Sequence, residues 1–380
     1  TVLITAANRI AIASHTVGKA YRDGGDEFMI MILDKATTDL ALWIGDQIVE
    51  AMSATIRYRQ HRANVGASVG VALSPPGTTY PAQLVANADV ALYEAKRNGR
   101  NRVCEITPKM RQRIQAQRRI AGDLELALER NEFIPFFQPQ VHVGKGAVVG
   151  AEALGRWQHP DLGLLSPAAF LDQAAERGLA AEIDRKMLYQ SLEVAARLKQ
   201  RGLILPSVSV NISAARLHDP DLPKDVAACW TDRSCKLTVE LLETIYFDES
   251  NDSTQFSQNL NQLREMGVRI ETDDFGSGRA SITGLLKIRP DRLKIDRSLI
   301  QAAVNDPVKR SVVAAIIDMT RVLGIEALAE GVESQSDIEK IQTLGCDIFQ
   351  GYALSRPLSE NELVSYLETH QRPSPKAIGI

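Results

Sequence analysis

The polar and apolar positions of the chain have two textures, which change near residue 121. Before it, apolar stretches of mixed spacing predict a small α/β unit over residues 1–103. An amphipathic stretch leads into Tyr21-Arg22-Asp23-Gly24-Gly25-Asp26-Glu27-Phe28 and the apolar run Met29–Leu33. Paired glycines between apolar segments predict a hairpin, because glycine takes positive φ without strain. Helices are expected over about 37–57 and over Pro81–Asn98, with a strand at Ala67–Leu73 between them. Residues 105–120, rich in Arg and Gln, read as a linker helix with a solvated face.

After it, short strand-like runs alternate with helical stretches. The strands fall at Phe133–Gln138, Val148–Leu154, Val208–Ile212, Leu237–Leu241, Val268–Thr272, Arg292–Ile295, Glu326–Ala329 and Ile348–Tyr352. Eight strands with helices between them, over about 250 residues, predict a (β/α)8 barrel of the TIM type. The link at Val143-Gly144-Lys145-Gly146 is too short for a parallel crossover, which needs a dozen or more residues. It predicts a hairpin, and so an antiparallel first strand.

Polar residues stand at the strand ends. The second strand ends at Glu152, the third at Asn211, the fourth at Glu240 and the fifth at Asp273-Asp274. The sixth carries Lys294, the seventh ends at Glu330 and the eighth carries Gln350. The C-terminal strand ends of such barrels form the active-site rim. Five carboxylates on one rim repel each other unless a cation neutralises them. A strand-end acid taken alone is more often a cap or a surface residue; acids on strand after strand at one end are hard to produce by capping. Oxygen-only donors favour hard cations such as Mg²⁺ or Mn²⁺, and adjacent Asp273 and Asp274 suit a two-metal site.

Composition narrows the classes. In 380 residues, 44% hydrophobic, there is enough apolar side chain for two cores. A net charge of -3 excludes a broadly basic coat for a nucleic acid polymer. Cys104, Cys229, Cys235 and Cys346 show no CxxC spacing, so neither a zinc site nor a disulfide framework is expected, and a reducing, cytoplasmic setting is. No apolar run reaches the ~18 residues that span a bilayer, so no membrane contact is expected within this chain. The chain opens on Thr1 in mid-pattern and reads as part of something longer, in which an upstream anchor would place it at the cytoplasmic face of a membrane.

The motif Glu152-Ala153-Leu154-Gly155-Arg156-Trp157 resembles the signature of EAL-domain c-di-GMP phosphodiesterases. Further matches follow in family order: Val210-Asn211-Ile212-Ser213, Glu240-Leu241-Leu242-Glu243, Asp273-Asp274-Phe275-Gly276-Ser277-Gly278, Leu293-Lys294-Ile295-Asp296, Ala329-Glu330-Gly331-Val332-Glu333 and Gln350-Gly351-Tyr352. The resemblance covers about residues 121–370 and leaves 371–380 as a tail. It implies hydrolysis of c-di-GMP to linear pGpG with two Mg²⁺ or Mn²⁺ ions. Glu152, Asn211, Glu240 and Asp273 would hold one ion; Asp273 and Asp274 would help hold the second. Lys294 would orient the water, Glu330 would serve as ligand or base, and Gln350 would touch water or substrate. Leu154 and Arg156 would meet the substrate, Arg156 by pairing with a phosphate, and Glu243 would anchor the loop that begins at Asp274. A homodimer through the barrel is implied as well. Leu242, Gly155, Arg279 and the pair Glu271-Thr272 depart from the family pattern, and Arg279 and Glu271 are expected to bear on loop dynamics and dimer coupling. The Asp274-Phe275-Gly276 triplet also occurs in protein kinases, but no glycine-rich loop, VAIK-like strand or HRD-like loop accompanies it.

Residues 1–104 resemble the GGDEF diguanylate cyclases. The signature is Arg22-Asp23-Gly24-Gly25-Asp26-Glu27-Phe28, and Ala88–Lys96 with Gly99-Arg100-Asn101-Arg102 match the closing helix and turn. The site this implies comprises Gly24, Gly25, Asp26, Glu27, Lys96 and Arg100, with GTP as its ligand in a full chain. Few residues precede Gly24, and His15-Thr16-Val17-Gly18 stand at the family's RxxD inhibitory position, so a regulatory or inactive role is expected. The rival to an enzyme is a c-di-GMP receptor that binds without cutting. Receptors of that kind lack metal ligands, whereas this sequence keeps each one the resemblance maps.

Overall fold

The computed structural model describes residues 2–33, 36–58, 61–74, 80–242, 254–276 and 282–371. The chain divides into two compact units, Thr1–Arg119 and Ile120–Ile380.

In the first unit, helices Val2–Ser14 and Thr38–Ser53 bury Ala6, Ile10, Ile44, Ile48 and Met52 in one cluster. Thr37 caps the second helix, its side chain accepting from the Leu40 amide at 3.2 Å. The expected hairpin pairs Lys19–Gly24 with Glu27–Met31, and Gly25 takes a φ of +45° in its turn. The strand expected at Ala67–Leu73 shortens to Val69–Val71 and pairs in parallel with Val103–Glu105, a strand the apolar pattern did not mark. Helix Pro81–Arg97 lies close over Gly70, where a Cβ would come within 2.1 Å of the Ala88 carbonyl oxygen, so only glycine fits. A single helix, Pro108–Glu129, occupies the stretch in which a shorter linker helix was expected.

The second unit is a closed eight-stranded barrel. Its strands are β1 Phe133–His142, β2 Ala147–His159, β3 Ser207–Asn211, β4 Lys236–Leu242, β5 Arg269–Phe275, β6 Arg292–Ile295, β7 Glu326–Glu330 and β8 Ile348–Gln350. From β2 through β8 each neighbouring pair is parallel. β1 runs antiparallel to both β2 and β8 and closes the ring. The tight turn Val143–Lys145, ending on Gly146 at φ +59°, makes this the hairpin that the short link required.

Alternation along the strands positions the site. In β4, Leu237, Val239 and Leu241 face outward into the core beneath the helices, while Thr238 and Glu240 are buried on the other face. In β3, Val208 and Val210 face out, and Ser207, Ser209 and Asn211 take the opposite face. Period-two patterning thus puts apolar side chains under the helices and polar ones inside the barrel. One end of β2 is fixed by an aromatic cluster: fully buried Trp157 lies with ring centroids 5.3 Å from Phe133 and 5.9 Å from Phe170, and donates to Glu132 Oε2 at 2.9 Å. Among the described residues no helix is long and apolar enough to cross a membrane.

Candidate metal centre and active site

Lys294, from β6, stands at the middle of the barrel mouth with 1% of its side chain exposed. Its Nζ lies 3.1 Å from Glu152 Oε2, 2.7 Å from Glu240 Oε2, 3.0 Å from Asp273 Oδ1 and 2.7 Å from Glu330 Oε1. Four strands therefore aim four carboxylates at one ammonium. Asn211 Nδ2 donates to Glu152 Oε1 at 3.0 Å, and Gln350 Nε2 donates to Glu152 Oε2.

One cation does not satisfy this set. Among the described residues, buried Glu240 Oε1 and Asp273 Oδ1 lack a hydrogen-bond partner; Oδ1 is ion-paired to Lys294 but lies off its hydrogen-bonding directions. Titration follows the same imbalance. Burial pushes the Glu240 carboxyl well above its ordinary range, and Glu152 adds to the push. Burial, offset in part by Lys294, does the same to Glu330. Burial and Asp273 raise Asp274 to about 6. Glu152 goes down: burial alone would raise it, but Lys294 and hydrogen bonds from Gln350, Lys294 and Asn211 outweigh that. Lys294 rises well above its usual value because four carboxylates overcome the cost of burying it.

Asp274 joins Asp273 at the same mouth through an irregularity. The register between β5 and β6 shifts between Thr272 and Phe275, and Asp274 takes a φ of +57°. A bulge of this kind re-aims a side chain that strict alternation would point outward, and Asp tolerates the left-handed region better than most residues. One ligand oxygen each from Asp273, Asp274 and Glu330 lie within 4.8 Å of one another.

At the rim, half-buried Arg156 sets its guanidinium 5.7 Å from the Phe136 ring centroid and donates to the Gly155 carbonyl at 2.8 Å. Leu154 is partly exposed beside it, and Tyr352 lies under the Arg356 guanidinium at 4.7 Å. Glu243 and Arg279 lie outside the described residues.

Glu271 is fully buried inside the barrel, where it accepts from Arg292 Nη1 at 2.7 Å and Ser209 Oγ at 3.2 Å. It belongs to a polar layer with Gln138, Gln140, Ser209 and Arg292 that the strand-end reading missed. The signal was present: each sits two positions from a strand-end polar residue or from another member of the layer.

In the first unit, Gly24 ends the first strand opposite Glu27, Gly25 and Asp26 form the hairpin turn, and Arg22 donates to the Gly25 carbonyl at 3.1 and 2.7 Å. Lys96 approaches Glu27 at 3.8 Å, Asp26 is exposed, and Arg100 holds a φ of +58° in the turn after the helix.

Comparison with known proteins gives the following. The EAL domain family model matches residues 121–357, and the model for the diguanylate cyclase GGDEF domain matches residues 1–102. The bifunctional diguanylate cyclase/cyclic di-GMP phosphodiesterase MucR of Pseudomonas aeruginosa is 32% identical over 96% of this chain and 53% of its own length. The cyclic di-GMP phosphodiesterase PdeR of Escherichia coli is 31% identical over 89% of this chain and 50% of its own. The chain thus spans about half the length of these relatives. A solved PaMucR phosphodiesterase in complex with c-di-GMP is 33% identical and superposes with a TM-score of 0.58, covering 64% of this chain and 99% of that one.

Proposed function

The chain belongs to the EAL-domain family, and we propose that its barrel hydrolyses one phosphodiester of c-di-GMP to give linear pGpG. The observation that carries the reading is the ring of carboxylates around Lys294, in which buried Glu240 Oε1 is left without a hydrogen-bond partner. Glu152, Glu240, Asp273, Asp274 and Glu330 set five carboxylates against one ammonium, which leaves four negative charges when all are ionised. Two divalent cations carry that charge, and the residues fit them. Glu152, Asn211, Glu240 and Asp273 would hold one ion, and Asp273, Asp274 and Glu330 the other. Oxygen donors throughout favour Mg²⁺ or Mn²⁺.

When bound, such ions lower the pKa of a water and draw charge from the phosphodiester oxygens. The rest falls to the chain's own groups. Arg156 would fork a phosphate at the rim, where its guanidinium lies 5.7 Å from the Phe136 ring centroid. Lys294, its ammonium already fixed by four carboxylates, would orient the water and stabilise charge. Gln350 holds Glu152 through its amide. In the reaction the water oxygen bonds to phosphorus, the bond to the 3′ oxygen breaks, and that oxygen leaves with a proton. Glu330, its Oε1 2.7 Å from Lys294 Nζ, would serve as ligand or as the base that takes the water's proton, which then passes to the leaving oxygen.

The GGDEF-like unit is regulatory in this reading, with GTP as its ligand in a full chain. A homodimer through the barrel accords with Val308, Val312 and Val322, exposed on helix Pro307–Leu323. A cytoplasmic setting accords with four free cysteines. The direct test is Glu152→Ala, which removes a ligand and the anchor of both Asn211 and Gln350. pGpG formation should fall below detection while the circular dichroism spectrum stays that of the parent. Wild-type turnover in this variant sinks the assignment.

A further inference from the structure

We propose that Gln140 is a positioning residue: as the middle link of a one-way hydrogen-bond relay through the barrel core, it fixes the Gln350 amide with its nitrogen toward Glu152. The proposal rests on the phosphodiesterase reading of the same mouth.

The relay starts at Arg292, 3% exposed on β6. A guanidinium only donates. Its Nη1 donates to Glu271 Oε1 at 2.7 Å and to Gln140 Oε1 at 2.9 Å. On its other side, Nε and Nη2 donate to Glu326 Oε2 at 3.1 and 3.0 Å. Two carboxylates thus clamp the guanidinium, and Ser209 Oγ holds Glu271 in turn at 3.2 Å.

Gln140 is fully buried. Its oxygen must face Arg292, so its nitrogen faces the other way and donates to Gln350 Oε1 at 3.1 Å. That contact sets the next amide. Gln350 turns its oxygen down and its nitrogen up, where Nε2 donates to Glu152 Oε2 and, at 3.2 Å, to Gln138 Oε1. Gln138 Nε2 continues to the Ser355 carbonyl at 3.1 Å. Each donor points the same way, from a group that cannot accept to a carboxylate and a carbonyl that cannot donate. Flipping any one amide sets two donors or two acceptors face to face where no water competes, the arrangement that buried polar groups avoid. The Arg292 end keeps the polarity fixed whatever Glu152 coordinates. Groups outside the ligands that orient them in this way commonly change metal affinity or activity about 10–100-fold when removed.

Gln140→Glu tests this. It is isosteric and keeps an acceptor for Arg292, but offers Gln350 a second acceptor where a donor stood. Gln350 must then turn its nitrogen down and its oxygen toward the Glu152 carboxylate. Ser209→Ala is the control: it removes a buried hydrogen bond to Glu271, while Glu326 still clamps Arg292 and no hydrogen bond between relay members is lost. Mn²⁺ titration calorimetry on the metal-stripped chain, then kcat and KM for c-di-GMP, read the outcome. Q140E should bind Mn²⁺ about 10–100-fold more weakly and lose about tenfold or more in kcat, with KM within about threefold. S209A should stay within about twofold in all three. If Q140E does not fold, Gln140→Met, which breaks the relay without adding charge, carries the same expectation. Mn²⁺ affinity and kcat within twofold of the parent in a folded Gln140 variant overturn the proposal, and so do equal losses in S209A. Should the parent bind Mn²⁺ yet release no pGpG, the phosphodiesterase reading fails while the calorimetric arm still decides the relay.

Discussion

Replacing Lys294 with methionine separates the electrostatics of the site from its packing. Methionine keeps most of the buried stem and removes the charge. In the parent, Nζ has four carboxylate oxygens within 3.1 Å, and Glu240 and Lys294 are both essentially fully buried. Breaking a buried ion pair by removing one partner costs about 3–5 kcal/mol, a large share of the roughly 5–15 kcal/mol that holds a domain folded. Without metal, K294M should lose about that much. The carboxylates respond by binding protons, and the sign follows from the parent. Glu240 and Glu330 already have folded pKa values above their unfolded ones. Stability from such groups is present below the unfolded value and lost as pH rises through the folded one. The deficit of K294M should therefore be smaller at pH 5 than at pH 8. Mn²⁺ should restore about 2.7 kcal/mol at a hundred times its dissociation constant. kcat should still fall about 10²–10³-fold, because a fixed charge near the phosphate is gone. Urea unfolding of the metal-stripped chain, with and without Mn²⁺ at the two pH values, measures this. Trp157 and Trp230 report on the barrel unit once the exposed Trp43 is replaced by Phe. A stability change under about 0.5 kcal/mol, outside the range expected for a broken buried pair, or a deficit indifferent to Mn²⁺, would refute the reasoning.

Two further predictions concern groups away from the ligands. Burial raises Asp184 to about 6 despite hydrogen bonds from Ser213, including its backbone amide at 2.8 Å. Its contribution is present below the ordinary carboxylate value and fades as pH rises through about 6. Asp184→Asn keeps the acceptor oxygen without the charge, so it should be more stable than the parent at pH 7 by about 1–3 kcal/mol and no different at pH 4; equal urea midpoints at pH 7 would contradict this. Burial pushes the Cys346 thiol to about 12 and the Cys235 thiol to about 11. A thiol reagent at pH 8 should leave both unmodified in the folded chain and react with them in urea, and rapid native labelling of either would be inconsistent with the packing.

Much of the barrel was legible because its physics is local. Alternation in Leu237-Thr238-Val239-Glu240-Leu241 names the face of each residue, and a four-residue link can only be a hairpin. The strand-end residues were legible for the same reason, since consecutive parallel strands end on one rim. The inner layer was not. Spacing shows that Glu271 and Asp273 share a face of β5, but the partner of Glu271 is Arg292 on the next strand, and Gln140 meets Arg292 across 152 positions of sequence. Pairing of that kind is set by barrel closure and stagger, which no window of sequence contains. Asp274 is a second case: its approach to the mouth depends on a register shift and a φ of +57°, neither of which leaves a mark in the hydrophobic pattern.

Metal add-back tests the central claim most directly. The chain is stripped with chelator, incubated with c-di-GMP, given one cation at a time, and assayed for pGpG. Mg²⁺ and Mn²⁺ should each restore turnover. Ca²⁺ should enter the carboxylate ring yet support little or none, because it takes oxygens at about 2.3–2.6 Å with six to eight ligands, against about 2.0–2.1 Å for Mg²⁺ in octahedral geometry. A displacement approaching 1 Å at the attacking atom can cost about a hundredfold. Linear pGpG in Mg²⁺ or Mn²⁺ and its loss in excess chelator is the predicted result; full turnover in Ca²⁺ alone, or turnover undiminished by chelator, would contradict the account.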